Sequence, residues 1–355
     1  MSVISDFLKI TPASSSRLSE IDMNNIPFGR AFGDHMLVAQ YRDGKWEQAE
    51  IKPYGPLSIQ PSNSALNYGQ SVFEGMKAHR NEAGRPVLFR PEENWKRIND
   101  SAKRLAMPAI PQEIFIEGIK ALVNIDQGWL PNAEQGALYL RPLYFAADEY
   151  IGVKASTSYT FVVFTCPVGP YYTEPVNLLV NRDFVRASIG GTGAAKAAGN
   201  YAAALLPDVI AKAQGYHNVL WLDGRNLEFV EECGTMNVFF VIDGEVVTPR
   251  LTGTILPGIT RDSVITVLKD AGYNVNARQI SIYELQHAYR DGKLQECFGA
   301  GTAATISHVA KIGFAGEEWV LPPVSERKIG PWLYEEIMKY RTGNVDDKFG
   351  WVVTL

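Results

Sequence analysis

Alternation of hydrophobic and polar positions predicts strands along much of the chain. Residues 36–41 and 46–51 flank Asp43-Gly44, and such a dipeptide between two alternating runs is typical of a β-hairpin. Other short apolar runs bounded by Gly, Pro or Asp predict further strands. These lie at residues 86–89, 137–145, 159–166, 176–180, 218–222 and 227–230, and a second hairpin is expected at 238–242 and 245–248.

Helical periodicity is confined to fewer segments. Over residues 92–105, the apolar side chains Trp95, Ile98, Ala102 and Leu105 recur on one face. Further helices are predicted at residues 113–124, 200–214 and 331–340. Two more are expected after Thr260, predicted to be an N-cap, and after Ser281, which opens a capping box with Glu284.

A proline-rich segment suggests where the chain divides. Residues 167–175 carry three prolines between two predicted strands, which is typical of a linker. A chain of 355 residues is also long enough to bury two cores. We therefore predict a smaller N-terminal domain at residues 1–166, a linker at 167–176 and a larger domain at 177–355.

Composition and charge limit the classes of partner that this chain is expected to bind. The 34 basic and 39 acidic residues give a net charge of −5, which offers no electrostatic basis for binding nucleic acid or a membrane. No apolar run reaches the roughly 18 residues of a membrane span, and no secretory signal is expected at the start. Three cysteines and five histidines without ligand spacing predict reduced thiols, a cytoplasmic location and no metal site.

Lys196 stands in a run of glycines and alanines over residues 189–201. Glycine allows close backbone approach to a ligand, and a lysine kept from bulk water is suited to attack a carbonyl carbon. The run is not a P-loop, because alanine occupies both positions next to Lys196, and it lacks the third glycine of a dinucleotide fingerprint. Taken alone, the segment is more typical of a surface loop with a solvated lysine.

Two arginines differ in their local setting. Arg141 lies within a mostly apolar predicted strand, where a charge must be paired or serve a ligand. Arg97 lies off the apolar stripe of its helix, a position typical of a solvated side chain. The local pattern therefore ranks Arg141 above Arg97 as a site residue.

The C-terminal half holds residue types that suit pyridoxal phosphate (PLP). The Gly-rich segment 253–260 leads into a helix whose first N–H groups suit a phosphate. Lys196 can form a Schiff base with the aldehyde, Glu232 can keep the ring nitrogen protonated, and Tyr201 can donate to the phenolic oxygen.

Seven motifs, in order along the chain, resemble those of branched-chain amino-acid aminotransferases of the fold-type IV PLP superfamily. They are Phe73-Glu-Gly-Met-Lys77-Ala, Leu138-Tyr-Leu-Arg-Pro142, Gly190-Gly-Thr-Gly-Ala-Ala-Lys196-Ala-Ala-Gly-Asn-Tyr201, Val219-Leu-Trp-Leu-Asp223, Glu232-Cys-Gly-Thr-Met-Asn237, Leu256-Pro-Gly-Ile-Thr260 and Gly301-Thr-Ala303. The resemblance implies an α+β fold of two domains, like that of D-amino-acid aminotransferases. It comprises a small N-terminal α/β domain and a larger C-terminal domain with a pseudo-barrel sheet.

The same resemblance implies the reaction and the cofactor contacts. The enzyme would transfer the amino group of L-leucine, L-isoleucine or L-valine to 2-oxoglutarate, reversibly and in ping-pong fashion, giving L-glutamate. Lys196 would bind PLP covalently and carry the proton at the substrate Cα, while Glu232 and Tyr201 would meet the ring nitrogen and the phenolic oxygen. The other cofactor contacts would be Arg97, Thr235, Ile259, Thr260 and Thr302. Arg97 thereby changes from a surface residue to a phosphate ligand.

A substrate pocket at the interface of a homodimer is also implied. Its residues would be Phe28, Tyr68, Phe73, Tyr139, Arg141, Tyr171, Thr235 and Ala303, with Val153 coming from the neighbouring subunit. Aromatic walls favour branched aliphatic side chains by desolvation, and Arg141 with the tyrosines suits the second carboxylate of glutamate.

One departure and three alternatives accompany this interpretation. Some relatives carry a C-x-x-C switch after the Gly-Thr-Ala loop, but here Ala304 and Ser307 occupy those positions, so no thiol regulation is predicted there. A D-amino-acid transaminase and an aminodeoxychorismate lyase share the cofactor and the superfamily. A non-catalytic binder of a phosphate ligand is the alternative from another functional class.

Overall fold

The computed structural model describes residues 7–26, 29–169 and 174–355. In chain order the strands are β1 Leu8–Ile10, β2 His35–Arg42, β3 Lys45–Trp46, β4 Ala49–Pro53, β5 Ser71–Phe73, β6 Met76–Arg80, β7 Pro86–Phe89, β8 Ala137–Ala146, β9 Tyr159–Val168, β10 Val176–Val180, β11 Asn218–Leu222, β12 Val230–Cys233, β13 Met236–Ile242, β14 Glu245–Pro249, β15 Val275–Arg278, β16 Leu294–Gly301, β17 Thr305–Phe314, β18 Glu317–Val320 and β19 Val352–Thr354.

The helices are fewer, as the sequence pattern predicts. They are α1 Ser64–Tyr68, α2 Pro91–Arg104, α3 Gly118–Ile125, α4 Ala198–Ala203, α5 Leu205–Ala213, α6 Ile259–Asp270, α7 Ile282–Arg290 and α8 Ile329–Thr342. One π-helical turn, Glu113–Glu117, runs directly into α3.

These elements form two compact units. The first contains the described residues up to 169 together with Ala195–Ala198 and Lys339–Leu355. The second contains the described residues 174–194 and the stretch Gly199–Met338. The short segment around Lys196 therefore belongs to the first unit, although its neighbours along the chain on both sides belong to the second.

The first unit is built on a ten-stranded sheet. Its strand order is β1-β4-β2-β9-β8-β6-β7-β19, with β3 paired to β2 and β5 paired to β8. All of these pairs are antiparallel except β1 with β4. Helices α2 and α3 contribute to one core with the sheet, and Phe115 stacks on Phe161 at a centroid distance of 5.9 Å.

The second unit is built on a nine-stranded sheet that closes on itself. Its order is β12-β11-β10-β17-β16-β13-β14-β15, with β18 paired to β17, and β12 also pairs with β13. That extra pairing joins six strands into a ring, which confirms the predicted pseudo-barrel. The ring encloses apolar side chains such as Leu220, Phe240, Cys297 and Val309, all fully buried.

Most predicted elements are present, and the hairpins show why. Asp43 and Gly44 have φ of 50° and 77°, and Asp243 and Gly244 have φ of 51° and 82°. These left-handed pairs give the turn whose twist matches that of the flanking strands. Ser281 is the predicted N-cap and accepts a hydrogen bond from the Tyr283 N–H.

Three predictions about local structure are wrong. The helix expected over residues 200–214 is broken between α4 and α5, because the ring of Pro207 would clash with the carbonyl four residues earlier. The N-cap of α6 is Gly258, with extended backbone, rather than Thr260, which lies inside the helix. The strand expected at residues 227–230 begins only at Val230, since Leu227 has a φ of 53°.

Candidate active site

The backbone of Lys196 is held by the first unit. Its N–H donates to Ser101 Oγ of α2 at 2.9 Å, and its carbonyl accepts from the Phe73 N–H of β5 at 3.0 Å. Next to it, Ala197 forms an isolated antiparallel bridge with Val72. The Gly/Ala-rich segment thus fixes the lysine at the end of β5 through main-chain contacts, which small side chains permit.

An aromatic and cationic face surrounds the lysine amine. Lys196 Nζ lies 5.0 Å from the centroid of the Phe73 ring, and the Arg141 guanidinium carbon lies 4.9 Å from the same centroid. Arg141 Nη2 also donates to Tyr139 Oη at 3.0 Å. The Arg141 Nε–H is buried and has no hydrogen-bond acceptor among the described residues. One ring is therefore shared by two cations, one of which keeps a buried donor for another group.

Register explains how the sequence places these side chains together. Strand β8 pairs with β5 so that Phe73 is opposite Leu143, and with β6 so that Lys77 is opposite Tyr139. Odd-numbered residues of β8 therefore share a face with Phe73. Gly75, between β5 and β6, leaves room for this tyrosine, because a Cβ there would lie 2.2 Å from Tyr139 Oη and displace the ring.

Arg97 is buried on α2 and forms a bidentate ion pair with Glu74. Its Nε and Nη2 donate to the two carboxylate oxygens at 2.7 and 2.8 Å. Asn94 Nδ2 adds a hydrogen bond to Glu74 at 2.8 Å. Burial raises the pKa of Glu74, but the charges of Arg97 and Lys196 and these hydrogen bonds outweigh it and hold the pKa below its ordinary value. The ranking of Arg141 above Arg97 assumed that Arg97 is solvated. That assumption is wrong, because Arg97 is buried.

Glu74 is a candidate site residue that sequence reasoning missed. Its carboxylate is fully buried beside Arg97, and it stands inside the Phe73-Glu-Gly-Met motif. The argument that selected Arg141, that a charge in an apolar segment must be paired or serve a ligand, applies equally to Glu74. The position of Glu74 in an apolar segment could be seen in the sequence, but its pairing with Arg97 could not.

In the second unit, Glu232 of β12 is buried, and its carboxylate makes two contacts. Its Oε1 accepts from the Leu256 N–H at 2.7 Å and lies 2.9 Å from Arg186 Nη2. Arg186 also donates to the carbonyl oxygens of Gly193 and Thr254. Nothing in the local sequence distinguishes Arg186 from the other charged residues near it, so this positioning residue was missed.

The start of α6 is fixed by a motif residue from β13. Asn237 Nδ2 donates to the Leu256 carbonyl at 3.0 Å, and a Cβ on Gly258 would lie 2.0 Å from Asn237 Oδ1. Gly258 has no side chain to cap the helix, so the first-turn N–H groups of Ile259 and Thr260 are suited to an anion.

The remaining predicted residues of this unit lie in turns and at a helix start. Thr235 is exposed in the tight turn between β12 and β13, and Thr302 and Ala303 are half-buried in the turn between β16 and β17. Gly301 lies against Met236, which brings these two turns close together. Tyr201 lies in α4, next to Asn200, whose side chain bonds Thr192.

Not every predicted residue joins one of these groups. Tyr68, the last residue of α1, is 42% exposed, and Val153 is 90% exposed. Phe28 and Tyr171 lie outside the described residues.

The donor set fits PLP. Its phosphate requires N–H groups and a guanidinium, which α6 and Arg97 can provide, and its ring nitrogen requires a carboxylate held in place, which Glu232 is. Its aldehyde requires an amine such as that of Lys196. Across residues 7–26, 29–169 and 174–355, no three His, Cys, Asp or Glu side chains are placed to hold a metal ion.

Comparisons with known proteins agree with this chemistry. The family model described as amino-transferase class IV matches residues 71–312. The branched-chain-amino-acid aminotransferase 2 of Bacillus subtilis (strain 168) is 46% identical over 342 residues, covering 95% of this chain and 94% of that protein.

Two solved structures show the same fold. A branched-chain aminotransferase from Thermoproteus uzoniensis with norvaline matches with a TM-score of 0.74 and 27% identity, covering 90% of this chain and 99% of that one. A branched-chain amino acid aminotransferase from T.th., complexed with N-(5'-phosphopyridoxyl)-L-glutamate, matches with a TM-score of 0.72 and 28% identity, covering 89% of this chain and 97% of that one.

The chain therefore belongs to the class IV aminotransferases, and its fold is that of the fold-type IV PLP enzymes. Within that class it belongs to the branched-chain amino-acid aminotransferases, and it is a PLP-dependent transaminase. In the described part of the chain, no helix has the length and apolar character needed to cross a membrane.

Proposed function

We propose that this transaminase moves the amino group of L-leucine, L-isoleucine or L-valine to 2-oxoglutarate. The observation that carries the proposal is the shared Phe73 ring, with Lys196 Nζ 5.0 Å and the Arg141 guanidinium carbon 4.9 Å from its centroid. The ring offers an apolar surface for a branched side chain beside the amine. Arg141 offers a guanidinium for the second carboxylate of glutamate.

The cofactor contacts are proposed as the motifs imply. PLP, when bound, supplies a protonated aromatic ring that withdraws electrons from the substrate Cα. Lys196 Nζ would accept the proton from Cα and return it, and Glu232, positioned by Arg186, would hold the proton on the ring nitrogen. Tyr201 would donate to the phenolic oxygen. Arg97, Thr302 and the N–H groups of Ile259 and Thr260 would bind the phosphate, with Thr235 a further contact.

The substrate contacts include a second copy of the chain. We propose a homodimer, in which Val153 reaches the partner's substrate pocket. Tyr150, Ile151 and Val153 follow one another on a loop and are 49%, 66% and 90% exposed. Such a run of exposed apolar residues is typical of a contact surface. The proposed pocket is completed by Phe28, Tyr68, Tyr139, Tyr171, Thr235 and Ala303.

A cytoplasmic location is part of the same proposal. The three cysteines, Cys166, Cys233 and Cys297, are all free and buried. Free thiols are typical of proteins kept in a reducing compartment.

The visible absorption spectrum of the PLP-loaded protein tests the activity. We expect L-leucine to shift the cofactor band and 2-oxoglutarate to restore it. Lys196→Ala should lose turnover by at least about 1000-fold, because it removes the group that moves the Cα proton. Lys293→Ala, which changes an exposed lysine, is the matched control and should retain wild-type turnover.

Two results would contradict the proposal. A spectrum that responds to D-alanine and not to L-leucine would favour a D-amino-acid transaminase. Near wild-type turnover in Lys196→Ala would remove the lysine from the mechanism.

A further inference from the structure

A cavity lies beside β12 in the second unit. It has a volume of about 140 Å³ and is lined by residues of four segments, among them Glu231, Thr254, Arg225 and Arg250. Glu231 lines this cavity, and the carboxylate of its neighbour Glu232 contacts Arg186 and Leu256. The pairing of β12 with β11 has a β-bulge at these residues, which interrupts the alternation of the strand.

The inner wall of the cavity carries an unsatisfied carboxyl oxygen. Glu231 is 5% exposed, and its Oε1 accepts a hydrogen bond from the Thr254 hydroxyl. Its Oε2 is buried and has no hydrogen-bond partner among the described residues. A buried polar oxygen without a partner costs free energy, so the cavity presents an acceptor that a donor group would satisfy.

The mouth of the cavity carries the opposite charge. Arg225 and Arg250 are exposed, and within the described ranges neither guanidinium forms an ion pair or a hydrogen bond. The lining also includes apolar side chains such as Phe229 and the exposed Ile189. It therefore combines a buried acceptor, apolar side chains and two available guanidinium groups.

We propose that this cavity binds a small zwitterion, with its ammonium group on Glu231 and its carboxylate on Arg225 and Arg250. An ammonium group satisfies the open Oε2, and a carboxylate can accept from both guanidinium groups. The site is separate from the residues proposed for transamination and does not depend on that proposal.

Binding should depend on pH through Glu231. Burial raises the pKa of Glu231 to about 7, with Glu232 and Asp223 adding to the effect and Thr254 and Arg186 opposing it. Burial raises the pKa of Asp223, which also lines the cavity, but backbone N–H groups that donate to its carboxylate outweigh burial and hold the pKa below its ordinary value, so Glu231 is the carboxyl that titrates near neutral pH. Because the ammonium group favours the ionised carboxylate, affinity should rise by about tenfold from pH 6 to pH 8.

Titration calorimetry on the protein with PLP reduced onto Lys196 tests the site, because an amine probe cannot then react at the cofactor. Glycine, β-alanine and 4-aminobutyrate serve as probes that differ in the spacing of their charges, with methylammonium and acetate as single-charge comparisons. We expect at least one zwitterion to bind at one site per chain, at least about tenfold more tightly than either comparison. Glu231→Gln and Arg250→Gln should each weaken it by about tenfold or more.

The control is Arg182→Gln, which changes an exposed arginine outside the cavity lining and should leave the affinity unchanged. Arg250→Gln alters only an exposed side chain, so it remains informative if Glu231→Gln fails to fold. Absence of detectable binding by all three zwitterions at about 10 mM would overturn the proposal. Binding that neither cavity variant weakens would overturn it equally, since it would lie elsewhere.

Discussion

Glu74 and Arg97 show how one buried residue supports another. The carboxylate satisfies two guanidinium nitrogens, and Asn94 and the charge of Lys196 add to its stabilisation. Because the pair with Glu74 already orders the Arg97 side chain, binding of an anion there costs little further side-chain entropy. We infer that Glu74 orients Arg97 for an anion.

Substituting Glu74 tests this role. Glu74→Gln leaves a buried guanidinium without its counter-charge, so we expect a loss of about 3–5 kcal/mol in the free energy of unfolding at pH 7 and weaker PLP binding. Urea denaturation and PLP titration measure the two effects. Glu93→Gln on the same helix removes an exposed pair with Lys96 and should cost less than about 1 kcal/mol.

The ion pair between Glu74 and Arg97 also predicts how the free energy of unfolding depends on pH. The folded-state pKa of Glu74 lies below its ordinary value of 4.5, so its stabilising contribution is complete above that pH and is lost as the pH falls through the lowered value. The stability difference between wild type and Glu74→Gln should therefore shrink below about pH 4. A difference that stays constant from pH 7 to pH 3 would contradict the ionised pair.

At the scale of elements, the start of α6 depends on contacts from a strand. Asn237 of β13 holds the Leu256 carbonyl, while the Leu256 N–H donates to Glu232 of β12. Two motifs that are separate in the sequence thus meet through one loop. The same contacts fix the carboxylate proposed for the ring nitrogen and the N–H groups proposed for the phosphate.

Gly258→Ala tests the importance of that close approach. The new Cβ would lie 2.0 Å from Asn237 Oδ1, so the side chain or the helix start must move. We expect a cost of about 1–3 kcal/mol in stability and at least about a tenfold loss of PLP affinity. Fluorescence titration with PLP and thermal unfolding measure these effects. Gly55→Ala adds a Cβ with no atom within 4 Å and is the matched control; equal PLP affinity in both variants would disprove the packing argument.

At the scale of the whole molecule, the two units are not simple halves of the sequence. Ala195–Ala198 and Lys339–Leu355 belong to the unit that contains the N-terminal strands. Lys196, the proposed catalytic lysine, is therefore part of one unit, while Tyr201, only five residues further along, is part of the other. Lys196 and Tyr201 are thus close in the sequence but belong to different compact units.

The proposed homodimer can be tested by a substitution on its exposed apolar loop. Ile151→Lys places a charge on the exposed apolar loop, and we expect it to weaken self-association of a protein that otherwise sediments at twice the mass of one chain. Val320→Lys changes a valine that is 63% exposed on β18 and should leave the mass unchanged. Sedimentation velocity distinguishes these outcomes, and a monomeric wild type at micromolar concentration would refute the proposed homodimer.

Alternation, turn residues and ordered motifs are local properties, so the residues alone predict both hairpins, many of the strands, most of the longer helices and the family. The pairing of Arg97 with Glu74, the contact of Arg186 with Glu232 and the start of α6 after Gly258 become visible only in the folded chain. The physical reason is that burial and charge pairing depend on residues far apart in the chain. A charged residue in the sequence indicates that a partner is needed, and the fold selects which one it has.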